Sequence, residues 1–258
     1  MTKPSPALDR PLRALAAGSL RRTLSLIFED FTNRTGVKVE AGFGPSGLLR
    51  QKIEAGEECH LFASADRSHP RSLADQGLAR EPVLFAGNRT CVLVREGLSI
   101  DQDNLIPRLL DPRVRLAAPA AVADPGGDYA QAFFRLAEAL APGAHQALKD
   151  KASTFLGDSA APRKTTAGQL IAAAFAEGRI DAFVAYLSTC REALELSENL
   201  VIITPPPALT VLPEFCLCLL HGAPRTVDRL AEHILSPIGQ DVLAAAGFTP
   251  LRDLSQAR

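Results

Sequence analysis

The chain has 258 residues, a formal charge of −1, 47% hydrophobic residues and 22% charged residues. That length allows one large domain or two small ones with a sizeable core, and the charge balance gives no electrostatic footprint for nucleic acid or an anionic membrane. No apolar run reaches the roughly 18 residues that span a bilayer, and Met1–Pro11 carries Lys3 and Arg10 without an apolar signal core, so the sequence as written is expected to be a processed form or to stay inside the cell.

Strand-like and helix-like stretches alternate, which predicts an α/β fold. Leu12–Ala17 reads as a strand. Leu20–Arg34 reads as a helix with Leu24, Ile27, Phe28 and Phe31 on one face and Gly36 as its stop. Val37–Phe43 follows as a strand, Leu48–Ala55 as a short helix, Leu61–Ala65 as a strand and Pro70–Gln76 as a helix. Pro82–Ala86 and Thr90–Arg95 are apolar strands, Glu96–Asn104 a polar loop, and Val114–Ala118 a short strand. Asp124-Pro125-Gly126-Gly127-Asp128 has turn chemistry, with a helix from about Tyr129 to Leu140 broken by Pro142 and Gly143. Thr166–Ala176 reads as a helix, Ile180–Tyr186 and Val201–Thr204 as strands, the latter running into Pro205-Pro206-Pro207. Phe215–Leu220 is a strand, and helices Val227–Leu235 and Ile238–Ala245 complete the pattern.

Two junctions share one design. Ala16-Ala17-Gly18-Ser19-Leu20 and Phe43-Gly44-Pro45-Ser46-Gly47-Leu48 each put a Ser where a strand stops and a helix begins. A helix N-terminus carries free N–H groups and partial positive charge, so it suits an anion. Two such ends could hold one oxyanion without Lys or Arg. Ser at either place also has an ordinary explanation as a helix cap.

Other chemistry is sparse. The five cysteines, Cys59, Cys91, Cys190, Cys216 and Cys218, are odd in number and irregular in spacing, which argues against a disulfide framework and for burial. For a metal at Cys216 and Cys218, His221 is the single further local candidate. The histidines, His60, His69, His145, His221 and His233, show no H-E-x-x-H spacing, and G-x-S-x-G and Walker A patterns are missing. Catalysis and a metal centre are therefore not expected.

Taken in order, the Ser19 and Ser46 motifs, Thr35-Gly36-Val37-Lys38-Val39, Leu61-Phe62-Ala63-Ser64-Ala65-Asp66, Gly178-Arg179-Ile180-Asp181-Ala182-Phe183-Val184-Ala185-Tyr186 and Ser236-Pro237-Ile238-Gly239-Gln240 through Ala246-Gly247-Phe248 resemble the molybdate-binding proteins of ABC importers. The resemblance covers Leu12 to Leu251. It implies the type 2 periplasmic binding protein fold: two α/β lobes, each a mixed sheet flanked by helices, with the anion in the cleft between them. Thr90–Arg95 and Phe215–Leu220 then correspond to the family's crossing strands, so lobe one is 1–90 plus 215–258 and lobe two is 91–214.

The same resemblance assigns the ligand residues. Ser19 and Ser46 supply hydroxyl and N–H donors, Gly126 and Gly168 supply backbone N–H groups at helix starts, and Tyr186 is the strand tyrosine. The implied function is non-catalytic delivery of molybdate or tungstate to a membrane permease by a periplasmic monomer, with no cofactor. A different anion or a metal chelate, or an intracellular oxyanion sensor in the cytoplasm, are the alternatives. Two departures bear on the ligand: His60 stands where the family has Asp, and Asp124 and Asp128 make the glycine turn unusually acidic.

Overall fold

The computed structural model describes residues 10–120, 125–154 and 165–254. The Met1–Arg10 stretch apart from Arg10, and Asp124 of the acidic turn, thus lie outside the described residues. Strand β1 (Leu12–Ala17) buries five of its six residues. A near-continuous apolar run fits an interior strand with neighbours on both sides, and β1 indeed lies between two others. The turn Gly18–Leu20 leads into α1 (Arg21–Thr35), which buries Leu24, Ile27, Phe28 and Phe31 at three- and four-residue spacing. Gly36, at φ 74°, ends α1 in the left-handed conformation, its N–H bonded to the Thr32 carbonyl at 2.8 Å. Strand β2 (Val39–Gly44), α2 (Ser46–Glu54), β3 (Leu61–Ser64), α3 (Ser68–Asp75) and β4 (Val83–Gly87) follow.

Strand β5 (Thr90–Arg95) starts a second sheet. It is followed by α4 (Leu105–Leu110), β6 (Leu116–Ala118), α5 (Pro125–Ala137), α6 (Ala144–Lys151), β7 (Ser153–Thr154), α7 (Ala167–Ala176), β8 (Ala182–Tyr186), α8 (Leu187–Leu194) and β9 (Leu200–Ile203). The chain then adds β10 (Glu214–Leu219), α9 (Thr226–Leu235), α10 (Pro237–Ala245) and α11 (Leu251–Leu254). The sheet orders are β2-β1-β3-β10-β4 and β7-β6-β8-β5-β9. In the first, β1, β2 and β3 are parallel and β10 runs against β3; in the second, β6, β7 and β8 are parallel and β5 runs against β8 and β9.

Two compact units result: Met1–Ala86 with Phe215–Ala245 and Pro250–Arg258, and Gly87–Glu214 with Ala246–Thr249. Within the second unit, Gly87 and Thr249 exchange two backbone hydrogen bonds at 2.8 Å. Thr90–Arg95 is an internal strand of the second sheet, while the outgoing strand of the first is β4.

Several helices differ from the sequence reading. Helix α5 begins at Pro125, four residues before Tyr129, because Pro is suited to the first helical position and the two glycines occupy the first turn. Helix α4 tolerates Pro107 in its own first turn. Helix α6 starts directly after the Pro142-Gly143 break. Helix α8 escapes an apolar-periodicity search because its buried face carries Ser188 and Thr189 beside Cys190 and Ala193.

The second sheet sorts its side chains by alternation. Val92, Val94, Ala182, Val184, Leu116 and Ala118 pack with Ala130, Phe133, Phe134 and Ala137 of α5. Cys91, Leu93, Phe183 and Ala185 pack on the other face with Ile171, Ala174 and Phe175 of α7 and with Cys190 and Ala193 of α8. At the start of β8, buried Asp181 accepts from the backbone N–H of Arg115 at 3.0 Å and from its Nε and Nη2 at 2.6 and 2.7 Å. The Arg115 guanidinium holds this carboxyl below its usual range, against burial, which raises it.

All five cysteines are free and buried. Burial pushes the thiols of Cys59 and Cys218 up to about 12 and that of Cys91 to about 11. The native protein at pH 8 is therefore expected to resist a thiol reagent at all five positions and to react at all five once denatured. Fast labelling of any one in the native state contradicts this packing. Because the Arg115 side chain is half in water, Asp181→Asn is expected to cost about 1–2 kcal/mol at pH 7. A depressed folded pKa stabilises above the unfolded value of about 3.9 and is lost as pH falls through the folded value. Urea titrations should thus show a smaller deficit for the variant at pH 3 than at pH 7; an equal deficit refutes the charge assignment.

Candidate functional site

In the first unit the parallel strands end together. Ala17 of β1 stands opposite Gly44 of β2, and Ala16 opposite Ala63 of β3. Each following helix must therefore open at this same edge. The two Ser-bearing junctions meet there: a Cβ on Gly18 would lie 3.9 Å from the Gly44 carbonyl oxygen.

Capping does not explain either Ser. The residues at the cap positions of the first turn, of α1 and of α2 are Ala17, Leu20 and Pro45, and no side chain caps any of them. Ser19 is half-buried. Ser46, the first residue of α2, is fully buried. Its Oγ accepts the Ala65 N–H at 3.3 Å, an N–H from the segment leaving β3. One lone pair of the hydroxyl oxygen is thereby used. Asp66, next in the chain, is spent on its own neighbourhood: it accepts from the hydroxyls of Ser64 and Ser68 at 2.8 and 2.5 Å.

The sequence reading built this half-site from neutral groups and missed Arg21. That guanidinium lies 4.8 Å from the centroid of the Phe43 ring, and its Nη2 donates to the Phe43 carbonyl at 3.5 Å. It thus links the start of α1 to the end of β2. Burial lowers its pKa, so solvation is partly replaced by the aromatic face. The cue was present as Arg21-Arg22 directly after Ser19-Leu20.

In the second unit, β6 and β8 are parallel, so the start of α5 and the end of β8 share one edge. Gly126 and Gly127 lie buried in the first turn of α5, and Asp128 is exposed. Tyr186 is 5% exposed and its ring meets that of Tyr129 edge-on, centroids 6.1 Å apart. The structure therefore brings Gly126 and Tyr186 to one edge. Thr90, the strand partner of Tyr186, joins them there and was not singled out by sequence.

Gly168 is different. It lies in the first turn of α7, but its N–H donates to Glu192 Oε2 at 3.3 Å. A Cβ at this glycine would stand 2.5 Å from Glu192 Cγ. Thr166 and Gln169 complete a reciprocal capping box on the same helix. A carboxylate thus already occupies the anion-favouring end of α7.

His60 is structural. Its Nδ1 accepts the Arg13 N–H at 2.9 Å, and its own N–H donates to the Arg13 carbonyl at 2.8 Å. It borders a hollow of about 330 Å³ with Glu57, Glu58, Cys59 and His221, at the opposite end of β3 from Ser46. Among the described residues, no three His, Cys, Asp or Glu side chains gather as a metal-ligand group.

Comparison with known proteins places the chain in a family. Residues 12–249 match the family described as bacterial extracellular solute-binding protein. An uncharacterised protein of Pasteurella multocida is 33% identical over 241 residues, covering 93% of this chain and 98% of its own. The periplasmic molybdate-binding protein of Azotobacter vinelandii superposes with a TM-score of 0.73 at 18% identity, covering 92% of this chain and 98% of that one. The sulfate-binding protein SubI of Mycobacterium tuberculosis gives a TM-score of 0.75 at 16% identity, with 96% and 89% covered. At such identities the structural likeness is one of fold, a two-sheet α/β architecture of the type 2 periplasmic binding protein kind. The chain belongs to the bacterial extracellular solute-binding protein family.

Proposed function

We propose that the chain binds a tetrahedral oxyanion, molybdate or tungstate, and presents it to the permease of an ABC importer at the periplasmic face of the membrane. The observation that carries this reading is Ser46, a fully buried hydroxyl that accepts the Ala65 N–H; in this reading its own proton is donated to the anion. The candidate donors are, in the first unit, the hydroxyls of Ser19 and Ser46 with the first N–H groups of their helices and, in the second, Tyr186 with the Gly126 N–H. Hydrogen bonds to a charged group contribute about 1.5–3 kcal/mol each. Six or seven correspond to the roughly 12 kcal/mol of nanomolar binding once ordering costs are subtracted. Fold-level likeness to molybdate- and sulfate-binding proteins supports a small oxyanion. No described helix is long and apolar enough to cross a membrane; the permease in this reading is a separate membrane protein.

A second reading is favoured by Glu192. A carboxylate beside the Gly168 N–H offers an acceptor, which would favour a protonated anion such as hydrogen phosphate over a fully deprotonated one.

A thermal-shift screen with molybdate, tungstate, sulfate and phosphate separates the two, since a ligand of the folded state raises the melting temperature. Molybdate and tungstate are expected to give the largest shifts. A shift from phosphate alone transfers the assignment to the second reading, and silence from all four overturns both. Ser46→Ala is expected to weaken molybdate binding by about 1–3 kcal/mol, read by calorimetry; unchanged affinity removes Ser46 from the site. Glu192→Gln keeps an acceptor but deletes a charge worth about 1 kcal/mol at contact range in water. It should tighten molybdate binding several-fold, whereas no change places Gly168 outside the site.

A further inference from the structure

We infer that Thr90 is a direct hydrogen-bond donor to the bound oxyanion, a ligand residue of the second unit beside Gly126 and Tyr186; this rests on the oxyanion reading. The observation is an orphan. Thr90 is 3% exposed, and its Oγ1 is buried without any hydrogen-bond partner among the described residues. Its backbone needs are met, the N–H donating to the Val211 carbonyl at 3.0 Å. Buried hydroxyls are almost always paired, so one held without a partner calls for a ligand.

The direction of the side chain follows from register. Thr90 is opposite Tyr186 on antiparallel strands, so the two side chains stand on one face. Alternation puts Thr90 with Val92 and Val94, on the face that packs against α5. Strand β5 starts where β8 ends, and α5 opens at the C-terminal end of β6, parallel to β8. Thr90 is therefore at the end of the sheet where the α5 N-terminus lies. The Tyr186 ring, in contact with Tyr129 of α5, marks the same corner. The helix terminus supplies the anion-favouring field, and the hydroxyl supplies a donor already stripped of water.

The rest of β5 is apolar from Cys91 to Val94. Valine would fill the Thr90 position with nearly the same shape and leave no orphan. A threonine there costs stability in the unliganded protein and gains it back when an acceptor arrives. A purely structural threonine makes the opposite prediction.

Calorimetry with sodium molybdate, sulfate and phosphate on the full chain, alongside melting of the unliganded forms, tests this. Thr90→Val is expected to melt at or above the wild-type temperature while losing about tenfold in affinity for the anion that binds wild type. Thr90→Ser, which keeps the hydroxyl, is expected to stay within about threefold of wild type. Unchanged affinity in Thr90→Val overturns the inference and leaves the oxyanion reading standing. Lowered affinity together with a lowered unliganded melting temperature overturns it as well, since the threonine would then be structural. Wild-type protein that takes up none of the three anions overturns the oxyanion reading and this inference together.

Discussion

A helix that follows a parallel strand has to begin at that strand's C-terminal edge, and its first turn has N–H groups that no residue of the helix can satisfy. The proposed ligand donors of this chain all descend from that constraint. In the first unit, β1 and β2 end in register, so the starts of α1 and α2 are neighbours. In the second, β6 and β8 are parallel, and the start of α5 comes to the end of β8. Small residues fill these starts. Gly18 lies against Gly44, and Gly126 and Gly127 occupy the first turn of α5. In the proposed site, backbone geometry would present the donors and a few hydroxyls would complete the set.

Much of this was legible because apolar runs and punctuation coincide. Leu12–Ala17 is read correctly as a strand since its one charged residue, Arg13, is also its one exposed residue. Leu24, Ile27, Phe28 and Phe31 identify α1 by spacing alone. Ser19 and Ser46 stand out because each follows a glycine-containing strand end. The missed features share a different property: their meaning depends on residues distant in sequence. Glu192 meets Gly168 across 24 positions, and Arg21 meets Phe43 across 22. Thr90 acquires interest only when Tyr186 is its strand partner. Helix α8 hides behind buried Ser188, whose hydroxyl accepts from Asn88 at 2.8 Å, a hundred residues away. Local pattern cannot report such pairings.

Charge is distributed unequally between the helix starts. Arg21 adds a cation beside the Ser19 and Ser46 turns, spread over an aromatic ring that replaces part of its hydration. Glu192 places a carboxylate against the first turn of α7. The α7 start, with its capping box and this carboxylate, is electrostatically complete as it stands, whereas the α2 start carries no side-chain cap. The helix termini of one fold thus differ in whether side chains already meet their first N–H groups, and sequence alone, which shows a helix start in each case, does not distinguish them.

The Tyr129–Tyr186 ring contact has an optical consequence. The chain contains no tryptophan and two tyrosines, and those two are this pair. Every phenol in the protein therefore sits at the edge where α5 begins. Tyrosine emission, and the near-ultraviolet dichroism that arises when two phenols couple at van der Waals range, come from this one corner with no background from elsewhere in the fold. The protein carries its own spectroscopic label, unmodified, at the edge where the proposed second-unit donors stand.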